Sequence, residues 1–113
     1  VFTPASTTAS PGDVLIFSFL SGPHDVAQSS FDSPCHPAPN AFYSGLVSSA
    51  SDRTFRVEVN SSDPIFFYCA VAGHCQAGMV GVVNPPPGQA GDALTRRARG
   101  EGRSGTPDEV SGG

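Results

Sequence analysis

Short runs of strand-forming residues, separated by clusters of glycine, proline and serine, restrict the fold of this chain more than any other feature. Residues 54–60 alternate strictly, with Phe55, Val57 and Val59 on one side and polar side chains on the other. Such alternation is typical of a half-buried β-strand. Similar runs span residues 14–20, 24–29, 65–69 and 79–83. No window shows a sustained helical period, so the pattern predicts an all-β sandwich.

The composition changes abruptly after three consecutive prolines that end at Pro87. Residues 88–113 hold seven glycines and only two large aliphatic side chains, Leu94 and Val110. Such a segment buries too little apolar surface to offset the entropy of ordering it. We therefore predict one domain over residues 1–87, followed by a disordered tail rich in glycine, arginine and serine. A domain of that size gains from a disulfide or a metal ion.

The distribution of charge argues against a nucleic-acid partner. The net charge of −4 lies in the first 87 residues, where six acidic residues face two arginines, and the chain has no lysine. A chain without a basic surface holds phosphates poorly. The arginines at 96, 97 and 99 belong to the predicted tail, where we expect them to be solvated.

No apolar stretch approaches the roughly 20 residues that span a bilayer. The sequence thus predicts no transmembrane segment, and we expect the protein to be a monomer.

One loop between two predicted strands carries the residues with distinctive chemistry. Cys69, His74 and Met79 follow one another at five-residue intervals in this loop. Gly73 and Gly78 allow the loop to fold tightly enough for the three side chains to converge. The spacing therefore predicts a metal centre at this end of the sandwich.

His24 supplies a fourth donor, because it follows a Gly-Pro turn at the end of an earlier strand. A thiolate and two imidazoles with a weak thioether on the axis suit both Cu(I) and Cu(II). The sequence thus predicts one type 1 (blue) copper ion held by His24, Cys69, His74 and Met79. Zinc is disfavoured because its sites rarely recruit methionine. Four protein donors leave no open position for a substrate, so we expect a protein that is not an enzyme.

The cysteine count is consistent with this site. Three cysteines cannot all pair, so one stays free in an oxidising compartment. If Cys69 binds copper, Cys35 and Cys75 remain to form a disulfide. A glycosylation sequon begins at Asn60. The cysteine pattern and the sequon together predict an extracellular protein.

The copper loop, residues 68–79, closely resembles that of phytocyanins, the extracellular blue copper proteins of plants. It is still more similar to the small, secreted, serine-rich cupredoxins of fungi. Three further segments match those proteins. They are Gly12-Asp13-Val14 with Phe17, His24-Asp25-Val26-Ala27-Gln28-Ser29, and residues 29–35. The resemblance covers about residues 1–85.

The resemblance implies a Greek-key cupredoxin sandwich, a Cys35–Cys75 bridge and copper at the four predicted ligands. It also implies a single-electron carrier whose partner is a redox protein or a small electron donor or acceptor. Members of the family usually begin with a further strand before the position of Phe2. The sequence therefore predicts a sandwich that lacks its first strand.

Two alternatives to electron transfer follow from the same residues. One is a cell-wall or surface interaction module on a cupredoxin scaffold, and the other is extracellular copper storage or delivery. A module that did not use copper would be free to lose a ligand, whereas all four are present.

Asp25 is either a hydrogen-bond acceptor that organises the loops around the site or an exposed carboxylate.

Overall fold

The computed structural model describes residues 1–112, which form two β-sheets and one helix. The elements are β1 (Ser6–Thr7), β2 (Val14–Ser18), β3 (Ala27–Ser29), β4 (Thr54–Glu58), β5 (Ile65–Tyr68), β6 (Val80–Val83) and α1 (Gly91–Arg99). One sheet has four strands in the order β1–β6–β5–β3, and the other pairs β2 with β4. β1 runs parallel to β6, whereas the other pairs are antiparallel.

The all-β sandwich is confirmed, with one short helix added. Each run of strand-forming residues in the sequence contains a strand, from β2 to β6. The two-residue β1 was not predicted, because Ser6 and Thr7 carry no apolar pattern. The long stretch between β3 and β4 is loop, and only isolated bridges at Tyr43 and Val47 interrupt it.

An aromatic core fills the space between the two sheets. Phe55 and Val57 of β4 project into it, together with Phe67 of β5. Phe17 of β2 meets the ring of Phe67 edge to face, with 5.0 Å between ring centroids. Gly81 of β6 lies opposite Phe67, and a Cβ at that position would come within 2.3 Å of the ring. Glycine is therefore required there so that the aromatic ring can lie against the backbone.

A second core covers the other face of the four-stranded sheet. Phe66 and Tyr68 of β5 and Val80 and Val82 of β6 point to this side. Their apolar side chains contact Leu94 of α1, which is fully buried. The sheet is therefore covered on both faces, by β2–β4 on one side and by α1 on the other. This explains why β5 and β6 are dense apolar runs that do not alternate.

The disordered tail expected after Pro87 is not what the structure shows. Residues 91–99 form α1, and Leu94 and Ala98 are both fully buried. That prediction considered only the apolar residues of the tail itself. The four-stranded sheet has a face that the other sheet does not cover, and the side chains of Leu94 and Ala98 gain burial against it. Among the described residues, no helix has the length and apolar character that crossing a bilayer requires.

The segment after α1 is also attached to the sandwich. The Tyr68 hydroxyl donates to the carbonyl oxygen of Gly105 at 2.6 Å, and the Gly105 amide donates to the carbonyl of Cys35 at 2.9 Å. Tyr43 and Ser111 exchange two backbone hydrogen bonds of 2.9 and 3.1 Å. These contacts tie residues 100–112 to the sheet and to the loops beside it.

Replacing Leu94 with alanine tests the packing of α1. The substitution leaves a cavity against the sheet, and it should lower the free energy of unfolding by about 2–5 kcal/mol. Urea denaturation monitored by circular dichroism measures the change. Arg99→Ala, on the exposed side of the same helix, should change stability by less than about 0.5 kcal/mol. Equal stability of the two variants would show that α1 is not docked in solution.

Candidate metal centre

Three side chains that are distant in the sequence converge at one end of the sandwich. The donor atoms of His24, Cys69 and His74 all lie within 4.8 Å of one another. The Cys69 sulfur is 3.9 Å from Nδ1 of His24 and 3.5 Å from Nδ1 of His74. Two donors that each lie about 2.0–2.3 Å from a shared metal ion have separations of this size. The three donors are thus already placed around one point.

The loop between β5 and β6 closes back on itself to bring its donors together. The Cys69 amide donates to the Met79 carbonyl at 3.0 Å, and the Met79 amide donates to the His74 carbonyl at 3.0 Å. Gly73 and Gly78 have φ values of 80° and 108°. Only glycine adopts such angles without strain, so these residues permit the tight turns that the sequence predicted.

His24 is held in place by backbone pairing with the loop before β4. Its amide donates to the Val47 carbonyl at 3.0 Å, and the Val47 amide donates back to the His24 carbonyl at 2.8 Å. Gly22 lies so close to the backbone at Ser49 that a Cβ would approach its nitrogen to 2.6 Å. The close approach keeps the chain before His24 against this loop.

Met79 lies beside the three converging donors. A small cavity of about 160 Å³ opens at the surface there, and His24, His74, Met79, Ala77 and Val1 line it. The Met79 side chain is buried, whereas both histidines are partly exposed. The site is therefore closed towards the core and open on the side of the imidazole rings.

The predicted disulfide is confirmed and lies next to this site. Cys35 and Cys75 are bonded and are both fully buried. Cys75 directly follows His74, so the bridge attaches the histidine to the loop that follows β3. Cys69 is the free cysteine among residues 1–112, as a metal-binding thiolate must be.

Asp25 connects the two halves of the site. Its carboxyl group is buried and accepts hydrogen bonds from the Ala70 amide at 2.6 Å and from the Tyr43 hydroxyl at 2.9 Å. Asp25 follows His24 and Ala70 follows Cys69, so one side chain fixes the separation of two donors. The sequence left open whether Asp25 is a hydrogen-bond acceptor or an exposed carboxylate, and the structure shows the acceptor.

Burial controls the protonation of the site. Loss of solvent around the Cys69 sulfur raises the pKa of the thiol to about 11, although the Asp25 and Val71 amides hydrogen-bond to the sulfur and oppose part of the increase. Partial burial and the neighbouring His74 lower the pKa of His24 below its usual value. In the metal-free protein at neutral pH, the thiol is therefore protonated and His24 is neutral. Both states are ready for a metal ion that displaces the thiol proton.

Tyr43 is the residue at this site that the sequence did not indicate. Burial and the hydrogen bond to Asp25 raise the pKa of its hydroxyl to about 12. Tyr43 lies in a loop without periodicity, and its partner is eighteen residues away. Such a contact depends on the folded path of the loop.

His36 lies away from the site. Its ring is 3.9 Å from the carboxylate of Glu101.

Comparison with known proteins identifies the family of this chain. A family model described as a plastocyanin-like domain matches residues 4–79. That match covers the sandwich up to Met79, including all four predicted ligands. The chain belongs to the plastocyanin-like domain family.

Two curated relatives of this plastocyanin-like domain come from Arthroderma benhamiae. One, named "Probable GPI-anchored cupredoxin-1", is 37% identical over 113 residues, which cover 99% of this chain and 60% of the relative. The other, an "Extracellular serine-rich protein", is 37% identical over 117 residues, covering 99% of this chain and 46% of the relative. The chain thus spans about half the length of these relatives.

A solved structure of a pseudoazurin from Sinorhizobium is also similar to this domain. The similarity has a TM-score of 0.49 at 20% sequence identity, and it covers 91% of this chain and 71% of the pseudoazurin.

The donor set of this plastocyanin-like domain fits copper, the metal of the cupredoxin family. One thiol and two imidazoles converge, and a thioether lines the same cavity. Soft sulfur donors favour Cu(I), imidazole accepts either oxidation state, and a weak axial thioether is typical of a type 1 site. Structural zinc sites instead prefer four strong ligands such as paired cysteines.

Removing the Asp25 carboxyl group should destabilise the metal-free protein. Asp25→Ala leaves the Ala70 amide and the Tyr43 hydroxyl without an acceptor, at a cost of about 1–3 kcal/mol for each buried donor. Asp25→Asn keeps one acceptor oxygen and should lose less. Urea denaturation of the metal-free variants measures both losses. If alanine and asparagine are equally destabilising, the acceptor role of Asp25 is wrong.

Copper binding should depend on pH because the Cys69 thiol must lose its proton. With the pKa of the thiol at about 11, the apparent affinity for Cu(I) should rise about tenfold per unit between roughly pH 7 and 9. The lowered pKa of His24 means that this imidazole releases no proton in that range. Competition with a chelator of known pH dependence measures the slope. A flat profile would show that Cys69 is not a ligand.

Proposed function

We propose that this protein is a type 1 copper-binding single-electron carrier that works outside the cell. The proposal is supported mainly by the convergence of the His24, Cys69 and His74 donor atoms within 4.8 Å. Met79 completes the proposed ligand set from the wall of the same cavity. Bound copper would supply the Cu(I)/Cu(II) couple, and the protein itself would catalyse no reaction.

The surroundings of the proposed ligands favour electron transfer over chemistry on a substrate. The sulfur of Cys69 is fully buried, and the backbone of the loop is fixed by hydrogen bonds between residues 69, 74 and 79. Donors that are held in place change position little when the charge of the metal changes, so little reorganisation accompanies each transfer. Four protein donors also leave no position at which a substrate could bind.

The partly exposed ring of His74 is the proposed point of approach for a redox partner. Ala72, Gly73 and Ala77 surround it, and all three are exposed. Their small side chains let another surface come close to the imidazole. A protein or small molecule that carries one electron could therefore dock at this end without entering the core.

Two observations support the proposed location. Disulfides such as Cys35–Cys75 form and persist in oxidising compartments. The two curated relatives are named as a GPI-anchored and as an extracellular protein. We extend that location, secreted or attached to the cell surface, to this chain.

Loading the purified protein with copper(II) tests the proposal. A thiolate ligand should give an intense blue charge-transfer band, accompanied by the electron-paramagnetic-resonance spectrum of a type 1 site. The band should disappear on reduction by one electron and return on oxidation over repeated cycles. Cys69→Ser should abolish the band, while His36→Asn, at the histidine outside the site, should leave it unchanged.

The same measurements separate the alternative functions. A colourless protein with an ordinary copper spectrum would contradict the type 1 site and favour a surface interaction module. A blue protein that gives up copper to a chelator within minutes would instead favour storage or delivery. An electron carrier should retain its copper through many redox cycles.

A further inference from the structure

Asn60 lies in the turn between β4 and β5, and nothing in the metal centre uses it. It directly follows Val59, which is buried, and precedes Ser61 and Ser62 in an Asn-x-Ser sequon. Asn60 and the two serines are all exposed. The middle position is not proline, so the triplet meets the requirement for an N-glycosylation acceptor.

The side chain of Asn60 is available, unlike that of another asparagine in the chain. Within residues 1–112, the Asn60 amide makes no hydrogen bond, whereas the Asn84 side chain makes two with the backbone of Ala9, each of 3.0 Å. Neither Asn40 nor Asn84 begins a sequon, because alanine and phenylalanine follow Asn40 and two prolines follow Asn84. The chain therefore contains a single acceptor sequence, and that sequence is on the surface.

The turn that holds Asn60 is at the opposite end of the sandwich from the metal centre. β2 and β4 are antiparallel, so Glu58 pairs with Val14 at the start of β2, while the end of β2 leads towards His24. β5 likewise begins after the turn and ends immediately before Cys69. The four residues of β5 span about 13 Å. A group attached at Asn60 is thus separated from the ligands by at least the length of a strand.

We infer that Asn60 carries an N-linked oligosaccharide, an inference that depends on the secretory route proposed above. The Asn60 amide nitrogen would attack the anomeric carbon of a lipid-pyrophosphate-linked oligosaccharide. A nitrogen–carbon bond forms as the bond from that carbon to the pyrophosphate oxygen breaks. The lipid pyrophosphate leaves, and the amide proton passes to a base of the transferase. No oxidation or reduction takes place.

The position of the glycan has a consequence for how the protein meets its partners. A bulky, hydrated oligosaccharide covers the end of the sandwich at which it is attached and excludes other proteins from it. The end that carries His74 stays accessible. The glycan therefore blocks close encounters at the far end and leaves free the surface through which we propose that electrons pass.

Secretion of the chain from a eukaryotic host behind a host signal peptide tests the inference. Treatment with an amidase that removes N-linked glycans should shift the wild-type protein to lower mass and convert Asn60 to aspartate, which peptide mass spectrometry detects. The shift should be lost in Asn60→Gln and in Ser62→Ala. It should persist in the matched variant Ser61→Ala, which keeps the sequon although it removes an acceptor for the Asp63 amide.

Each outcome supports or overturns the inference. Secreted wild-type protein that carries the Cys35–Cys75 bridge but no glycan on Asn60 overturns it, as does a shift that survives Asn60→Gln. Copper absorbance measured on the same material before and after glycan removal should be unchanged, because Asn60 and the candidate metal centre lie at opposite ends of the sandwich. A glycosylated but colourless protein would contradict the proposed electron carrier and not the glycosylation. A blue protein without a glycan would contradict the glycosylation and not the electron carrier.

Discussion

Strand β5 buries side chains on both of its faces, and the candidate metal centre depends on this placement. Phe67 packs into the core between the two sheets, while Phe66 and Tyr68 pack towards α1. The next residue is Cys69, so the thiol extends from an element with no solvent-facing side. Its burial follows from the packing of the strand and accounts for the raised pKa of the sulfur. The position of this donor is therefore set by the hydrophobic effect before any metal arrives.

A buried polar network adds the precision that packing alone does not provide. The Asp25 carboxyl group joins the segment of His24 to the segment of Cys69 through the Ala70 amide. Tyr43 donates to the same carboxyl group and is paired through its backbone with Ser111 near the C-terminus. Because the buried donors around this carboxyl are satisfied, the network stabilises one arrangement of the loops.

Much of this structure could be predicted from local sequence pattern. The alternation over residues 54–60 predicts β4, and the spacing of Cys69, His74 and Met79 indicates where the candidate metal centre lies. The prediction of a disordered tail after Pro87 is wrong for residues 91–99, because the sheet face that α1 covers is formed by residues distant from α1 in the sequence. The dense apolar sequences of β5 and β6 contained that information, since a strand covered on one side alternates and these do not.

The hydrogen bonds of Asp25 could not be predicted from local sequence pattern. Its acceptor role was one of two open possibilities, and the sequence offered no reason to connect it with Tyr43. The two residues are eighteen apart along the chain. Their contact depends on the course of the loop between β3 and β4, where no repeat or alternation marks which side chains point inwards.

The Cys35–Cys75 bridge lies beneath α1, with the sulfur of Cys35 4.0 Å from the carbonyl oxygen of Ala98. Thiol–disulfide exchange requires an incoming thiolate to reach one of the two sulfur atoms, and both cysteines are fully buried. Reductants therefore gain access only when the segments that cover the bridge, α1 among them, move away. Undocking of α1 and reduction of the bridge are thermodynamically linked, so each stabilising contact of the helix also protects the covalent link beside His74.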